Sequence, residues 1–146
     1  MTQPVLVPGR RDVRGTLVRA SNVPDAAANS VIVACPPHPK DGGSRHDQRL
    51  RVISDAVTAE GSDCLRIDYG EWDDGALKDS RNAIRWAADR YEHVGVVGYS
   101  IGGAIALLAA ANFDRPLDGV ATLAPARTSA MISMPSPRSR TWMRRF

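Results

Sequence analysis

The sequence predicts an α/β protein with a doubly wound, mostly parallel sheet and helices on both faces. Three observations support this fold class. Strand-length apolar runs alternate along the chain with segments of helix-like periodicity. Runs such as Ser30–Cys35 are apolar at nearly every position, which is typical of parallel strands buried on both faces. The segments between successive strands are long enough for the right-handed helical crossovers that parallel strands require.

The first part of the chain predicts a hairpin followed by a buried strand. Val5–Val7 and Val13–Val18 are short β-rich runs separated by a Pro-Gly turn signal. After a polar connection, the apolar run Ser30–Cys35 has the length of a strand buried on both faces. The Pro- and Gly-rich segment Pro36–Gly43 is therefore expected to be a loop.

A helix is predicted to follow this loop. Ser44 and Asp47 have the spacing of a capping box in its acidic form, so Ser44 is expected to open the helix. Gly61 is expected to end it. Between them, apolar residues recur at helical spacing, at Leu50, Ile53 and Val57.

The remaining segments continue the alternation of strand and helix. The first of the two helices has apolar residues at helical spacing, and the second is rich in alanine. In chain order, the predicted elements are strand Cys64–Tyr69, helix Ala76–Tyr91, strand Val94–Val97, helix Ile101–Asn112 and strand Gly119–Leu123.

Composition restricts the class of protein. Hydrophobic residues make up 43% and charged residues 24% of the 146 positions, a balance typical of a folded domain. No apolar run approaches the roughly 18 residues of a membrane span, and the N-terminus has no signal-peptide pattern. We therefore expect a cytoplasmic protein with no membrane partner. Cys35 and Cys64 lie in apolar runs and are expected to be buried thiols, and no cofactor or metal is expected.

The charge distribution divides the chain near Ala126. All 16 acidic residues lie in 1–126, against 14 of the 19 basic residues, whereas 127–146 contains five arginines and no acid. We interpret 1–126 as the folded domain and 127–146 as a basic, disordered tail. A nucleic-acid-binding arm is the alternative. Because the tail has no lysine and no helical stripe, we expect no nucleic-acid partner.

The sequence Gly98-Tyr-Ser-Ile-Gly102 matches the pattern G-x-S-x-G. It follows a predicted strand and leads directly into a predicted helix, which is the strand–turn–helix setting of a nucleophile elbow. Glycines at Gly98, Gly102 and Gly103 would allow close approach of the backbone around the central Ser100. The alternative is a glycine-rich turn with a structural serine. Neither a dinucleotide-binding fingerprint nor a phosphate-binding loop matches here.

Together with two further segments, this motif resembles the α/β-hydrolase fold, specifically its small dienelactone-hydrolase-like branch. The further segments are Pro36–Gly43 and Leu65–Gly70, and the resemblance covers about Val31–Ala126. It implies a hydrolase of small carboxylic esters or related acyl compounds with Ser100 as nucleophile, where dienelactone hydrolases proper carry a cysteine. A small-molecule acyl substrate is the implied partner.

The resemblance also implies an oxyanion hole. One donor would be the backbone N–H of Ile101, and the other would come from the loop Pro36–Gly43. Within Pro36–Pro39 only His38 has a backbone N–H, because proline has none. We therefore expect His38 to contribute its main chain rather than its imidazole.

The catalytic acid and base of this fold have no candidates after Ser100. No histidine follows it, and the later acids Asp114 and Asp118 precede the last predicted strand, at the end of the sheet away from the site. Of the earlier histidines, His93 is expected in a solvated loop at that same far end, and His46 is expected to be exposed in the first turn of a helix.

Asp68 ends its strand at the active edge and is expected to bind nearby loop amides. The chain is expected to be an incomplete, C-terminally truncated α/β-hydrolase fold with impaired activity. The alternative is a non-catalytic truncated α/β fragment or interaction module. Strand Gly119–Leu123 would then form an exposed sheet edge through which the chain could self-associate.

Overall fold

The computed structural model describes residues 1–21, 28–70 and 74–124, so the predicted tail 127–146 lies outside the described residues. The described part contains six strands, three α-helices and one short 3₁₀ helix. Their bounds are β1 Thr2–Val7, β2 Val13–Val18, β3 Ser30–Cys35, the 3₁₀ helix Pro39–Asp41, α1 Gln48–Ala59, β4 Asp63–Ile67, α2 Asp74–Ala88, β5 His93–Tyr99, α3 Ile101–Ala111 and β6 Gly119–Leu123.

The strands form one mixed sheet in the order β1-β2-β4-β3-β5-β6. The predicted hairpin is present, with β1 antiparallel to β2 and Val7 opposite Val13. Strand β2 is also antiparallel to β4, whereas β4, β3, β5 and β6 run parallel to one another. The carboxyl ends of the four parallel strands therefore meet at one edge of the sheet. The predicted α/β class with a mostly parallel sheet is confirmed.

Helices cover both faces of the sheet, as predicted. On one face, α2 and α3 pack through residues such as Ile84 and Ala106 against Val33 and Val96. On the other face, Leu50 of α1 packs in a separate buried group with Ala34, Cys64 and Val97. Alternate residues of β3 and β5 point into these two groups, which is why the central strands are apolar throughout.

The predicted start of the first helix is wrong. The helix begins at Gln48, and its N-terminal cap is Asp47, whose carboxylate accepts a hydrogen bond from the Arg49 N–H at 2.8 Å. Ser44 instead lies in the preceding turn, where its hydroxyl accepts a hydrogen bond from the His46 N–H at 3.0 Å. His46 is exposed, as expected, but in this turn rather than in the helix. Serine and aspartate both bind free amides, so the capping pattern alone does not distinguish them.

The strand before the motif is longer than predicted. Strand β5 extends to Tyr99, so the G-x-S-x-G sequence includes the last two strand residues. The register of β3 and β5 places Cys35 beside Gly98. The loop that follows β3 therefore begins next to the turn that follows β5.

Strand β6 is at one edge of the described sheet. It pairs with β5, and it has no second neighbouring strand within residues 1–21, 28–70 and 74–124. Leu123 is 45% exposed on this strand. Self-association through this edge stays a prediction.

None of the described helices has the length and apolar character needed to cross a membrane.

Candidate active site

The structure places Ser100 at a sharp turn between β5 and α3. Its backbone has φ 56° and ψ −123°, a conformation that residues with a side chain rarely adopt and that costs on the order of 1–3 kcal/mol. Two backbone hydrogen bonds hold the turn: the Ser100 N–H donates to the Leu123 carbonyl at 2.9 Å, and the Gly103 N–H donates to the Ser100 carbonyl at 3.0 Å. The side chain is partly exposed and does not cap the helix. The hydroxyl is therefore presented at the turn rather than used within it.

Glycines around Ser100 allow this turn to form. A Cβ on Gly98 would lie 2.0 Å from the Gly102 carbonyl oxygen, and a Cβ on Gly102 would lie 2.4 Å from the carbonyl oxygen of Pro36. Both distances are far inside van der Waals contact, and the opposing atoms belong to the backbone. A Cβ on Gly103 would lie 3.2 Å from the Thr122 side chain and 3.3 Å from the Gly98 carbonyl oxygen, a tight fit that a shift of a few tenths of an ångström could relieve. Within this turn, Gly98 and Gly102 are thus the two positions that require glycine.

The proposed oxyanion loop lies against the first turn of α3. Pro36 and Pro37 are buried, and the close approach of Gly102 to the Pro36 carbonyl brings the loop and the helix together. His38 follows directly and is half-buried. Ile101 is the first residue of α3, where a backbone N–H has no acceptor within the helix. The fold therefore brings Ser100, Ile101 and His38 together at the carboxyl ends of the parallel strands.

The imidazole of His38 has a structural role that the sequence did not reveal. Its Nδ1 accepts a hydrogen bond from the Lys40 N–H at 3.0 Å and thereby caps the short 3₁₀ helix. The His38 carbonyl accepts hydrogen bonds from the N–H groups of Asp41 and Gly43, at 2.9 and 3.0 Å. With Nδ1 occupied by a backbone amide, this ring is bound within its own loop.

Tyr69 contacts the same loop, and the sequence predicted no role for it. Its hydroxyl donates a hydrogen bond to the Pro36 carbonyl at 2.8 Å, and its ring is buried. Burial, together with the neighbouring Cys35, raises the pKa of Tyr69 well above its usual value. The phenol therefore remains a protonated hydrogen-bond donor at neutral pH. The only signal in the sequence was the position of Tyr69 after a strand at the active edge.

Asp68 anchors the loop before α1. Its carboxylate accepts a hydrogen bond from the Arg45 N–H at 2.7 Å and also binds the Arg45 guanidinium. This is the loop-binding role predicted for Asp68. The carboxylate is thus engaged with Arg45 rather than with a histidine.

His93 is a strand residue, so its predicted loop position is wrong, although it lies at the predicted end of the sheet. It is the first residue of β5, and its Nδ1 lies 3.1 Å from Asp118 Oδ1. The other carboxylate oxygen of Asp118 accepts a hydrogen bond from the Val94 N–H at 2.9 Å. This pair is separated from Ser100 by the length of β5. Across the described ranges, no hydrogen bond joins a histidine to Ser100.

Neither cysteine is suited to act as a nucleophile. Burial raises the pKa of Cys35 from 9.0 to about 12 and that of Cys64 from 9.0 to about 11. Both side chains are fully buried. The thiolate, which is the reactive form, is therefore both scarce and inaccessible.

We predict that the two cysteine thiols of the folded protein react very slowly at pH 8 with Ellman's reagent, a disulfide that reacts with thiolates. For Cys35, the raised pKa alone lowers the thiolate fraction at that pH about a thousandfold. The measurement is the rate of thionitrobenzoate release from Ellman's reagent, with the urea-unfolded chain as control. Reaction of either thiol in the folded protein at the rate of the unfolded chain would contradict the burial seen here.

The order of the six described strands and the strained serine turn between β5 and α3 are those of the α/β-hydrolase fold. This chain therefore has the α/β-hydrolase fold. Solved structures with the same fold bear this out. An α/β serine hydrolase homologue from Coxiella burnetii has a TM-score of 0.80 at 19% identity, covering 94% of this chain and 70% of its own. A lid-less α/β serine hydrolase from Xanthomonas campestris has a TM-score of 0.75 at 21% identity, covering 85% of this chain and 61% of its own.

A third similar structure is a dienelactone hydrolase from Anabaena variabilis, with a TM-score of 0.65 at 23% identity, covering 84% of this chain. The chain spans 62% of that protein, and 61% of the Xanthomonas hydrolase. No protein-family model and no curated protein matches the sequence.

In the described part of the chain, no group of three or more His, Cys, Asp or Glu residues is arranged to hold a metal ion.

Proposed function

We propose that this chain carries the nucleophile and oxyanion-binding part of a serine-dependent hydrolase of small carboxylic esters or related acyl compounds. The observation that carries the proposal is the strained conformation of Ser100, at φ 56°, with a partly exposed side chain at the carboxyl edge of the sheet. Such strain persists only where the surroundings impose it, and it clusters at functional sites. The structural similarity to two α/β serine hydrolases and a dienelactone hydrolase supports the same chemistry.

In the proposed reaction the Ser100 oxygen forms a bond to the carbonyl carbon of the ester and loses its proton to a base. The backbone N–H groups of Ile101 and His38 bind the resulting oxyanion. When the oxyanion collapses, the bond to the alkoxy oxygen breaks and the alcohol leaves with a proton. Water then attacks the acyl-serine, which releases the carboxylic acid and restores the Ser100 hydroxyl.

Among the described residues, no base is positioned to take the proton of Ser100. None of the described histidines binds Ser100, so water or a group outside the described residues must take its proton. In serine hydrolases, loss of the base lowers turnover by about 10⁶, while binding and the oxyanion hole retain about 10³–10⁴ over water. We therefore propose that turnover by this chain is slow.

The test compares the unmodified protein with Ser100→Ala. We expect a fluorophosphonate probe to label the unmodified chain slowly and at Ser100, as located by peptide mass spectrometry, and Ser100→Ala to show no labelling. Release of p-nitrophenol from p-nitrophenyl acetate should fall to the background rate in the same variant. The matched control is Ser44→Ala, which removes a hydroxyl from the turn before α1 and should leave both readouts unchanged.

A non-catalytic α/β module is the second candidate, favoured by the absence of a described histidine at Ser100. This candidate predicts no labelling of the unmodified chain. It also predicts equal p-nitrophenol release by the unmodified protein and Ser100→Ala. Either result would count against the hydrolase proposal.

A further inference from the structure

The loop that carries His38 is held at three successive peptide groups. The Pro36 carbonyl accepts the hydrogen bond from Tyr69. At the next peptide, Gly43 packs so closely that a Cβ there would lie 1.9 Å from the Pro37 carbonyl oxygen. The His38 carbonyl in turn accepts the Gly43 N–H at 3.0 Å. The peptide between Pro37 and His38, which contains the His38 N–H, is therefore fixed from both sides.

Of these restraints, the Tyr69 hydrogen bond is the one made by a residue outside the loop, at the end of the neighbouring strand β4. Tyr69 follows β4, and the adjacent Gly70 N–H donates at 2.8 Å to the carboxylate of Asp79, a buried residue of α2. Asp79 also receives a hydrogen bond from Arg11 at 3.3 Å. The backbone next to Tyr69 is thus bound to α2, independently of the loop that the phenol contacts. Because Tyr69 is anchored outside the loop, its hydrogen bond restrains the position of the Pro36 carbonyl.

We propose that Tyr69 is a positioning residue for the oxyanion hole: its hydroxyl fixes the Pro36 carbonyl and thereby directs the His38 N–H toward the oxygen that develops charge. The inference rests on the proposed function. An oxyanion donor is effective only when its direction is set before the reaction, because reorientation during the reaction costs part of the stabilisation. Two prolines before His38 restrict the backbone, and the Tyr69 bond selects the orientation of the restricted segment.

The variant Tyr69→Phe retains the ring and removes the hydroxyl, so the Pro36 carbonyl loses its donor while packing is preserved. The matched control is Tyr91→Phe. The Tyr91 hydroxyl also donates a short bond, at 2.7 Å to Asp63, but at the opposite end of the sheet from Ser100. Both variants should melt a few degrees below the unmodified protein, because each loses at least one partly or fully buried hydrogen bond.

The two variants should differ in their reaction with a fluorophosphonate probe. In that reaction the Ser100 oxygen forms a bond to phosphorus, fluoride leaves, and the serine proton passes to solvent. We expect Tyr69→Phe to lower the maximal rate of inactivation about tenfold with the half-saturating probe concentration unchanged, which is below the roughly hundredfold or greater effect of deleting an oxyanion donor outright. Tyr91→Phe should react at the unmodified rate.

Three outcomes would overturn the inference. An unchanged maximal rate in Tyr69→Phe would show that the hydroxyl does not position the loop. An equal loss of rate in Tyr91→Phe would assign the effect to general destabilisation. If the unmodified chain reacts no faster than Ser100→Ala, the proposed function itself fails and this inference falls with it.

Discussion

Replacing Gly98 by alanine should lower the free energy of unfolding by more than about 3 kcal/mol, which is a large fraction of the stability of a typical domain. The added Cβ would lie 2.0 Å from the Gly102 carbonyl oxygen and 2.5 Å from the Gly103 nitrogen. Both are backbone atoms in the first turn of α3, so no side-chain rotation relieves the overlap. Moving the helix is equally restricted, because Gly102 already contacts the Pro36 carbonyl.

The measurement for Gly98→Ala is urea unfolding followed by circular dichroism, and the matched control is Gly103→Ala in the same turn. A Cβ on Gly103 would lie 3.2 Å from the Thr122 side chain and 3.3 Å from the Gly98 carbonyl oxygen, which is tight but far less severe than the overlap at Gly98. Alanine also favours a helix more than glycine does by about 1 kcal/mol. We therefore expect the control to stay within about 1 kcal/mol of the unmodified protein. Equal stability of the two variants would contradict the geometry of the turn.

Asp63→Asn should cost about 2–4 kcal/mol of stability. The carboxylate is 1% exposed. One of its oxygens accepts the Ala20 N–H at 2.8 Å, and the other accepts from the Arg19 guanidinium at 2.9 Å and the Tyr91 hydroxyl at 2.7 Å. All three partners are donors, and an amide replaces one acceptor with a further donor. In either orientation of the amide, its NH₂ group then faces the Ala20 N–H or the Arg19 guanidinium, neither of which can accept.

The same urea titration tests Asp63→Asn, with Asp55→Asn as the control for loss of an aspartate charge. Asp55 is exposed on α1, so its change should fall within about 0.5 kcal/mol of the unmodified protein. The Arg19 side chain is about half exposed, so screening reduces its share of the effect and the buried acceptor accounts for most of it. A loss below about 0.5 kcal/mol in Asp63→Asn would refute this account.

Patterns of adjacent residues were sufficient to locate most of the secondary structure. The strands Val13–Val18, Ser30–Cys35 and Gly119–Leu123 have the predicted bounds, because each is a short β-rich run between polar or turn-forming segments. The start of α1 was misplaced, because Ser44 and Asp47 compete for the role of cap. That competition is decided by Asp68, which binds the Arg45 amide from 23 positions away in the chain.

The sequence by itself determined the fold class, the alternation of elements and the position of Ser100 between a strand and a helix. These features depend on burial periodicity and on local backbone geometry, both of which neighbouring residues encode. Only the tertiary structure decided that Tyr69 supports the loop of His38, that the His38 ring caps its own turn, and that His93 pairs with Asp118. The pairs Tyr69–Pro36 and His93–Asp118 join residues distant in the chain, and the His38 cap depends on how its loop folds. All three therefore arise from the placement of strands and loops in space rather than from any pattern along the sequence.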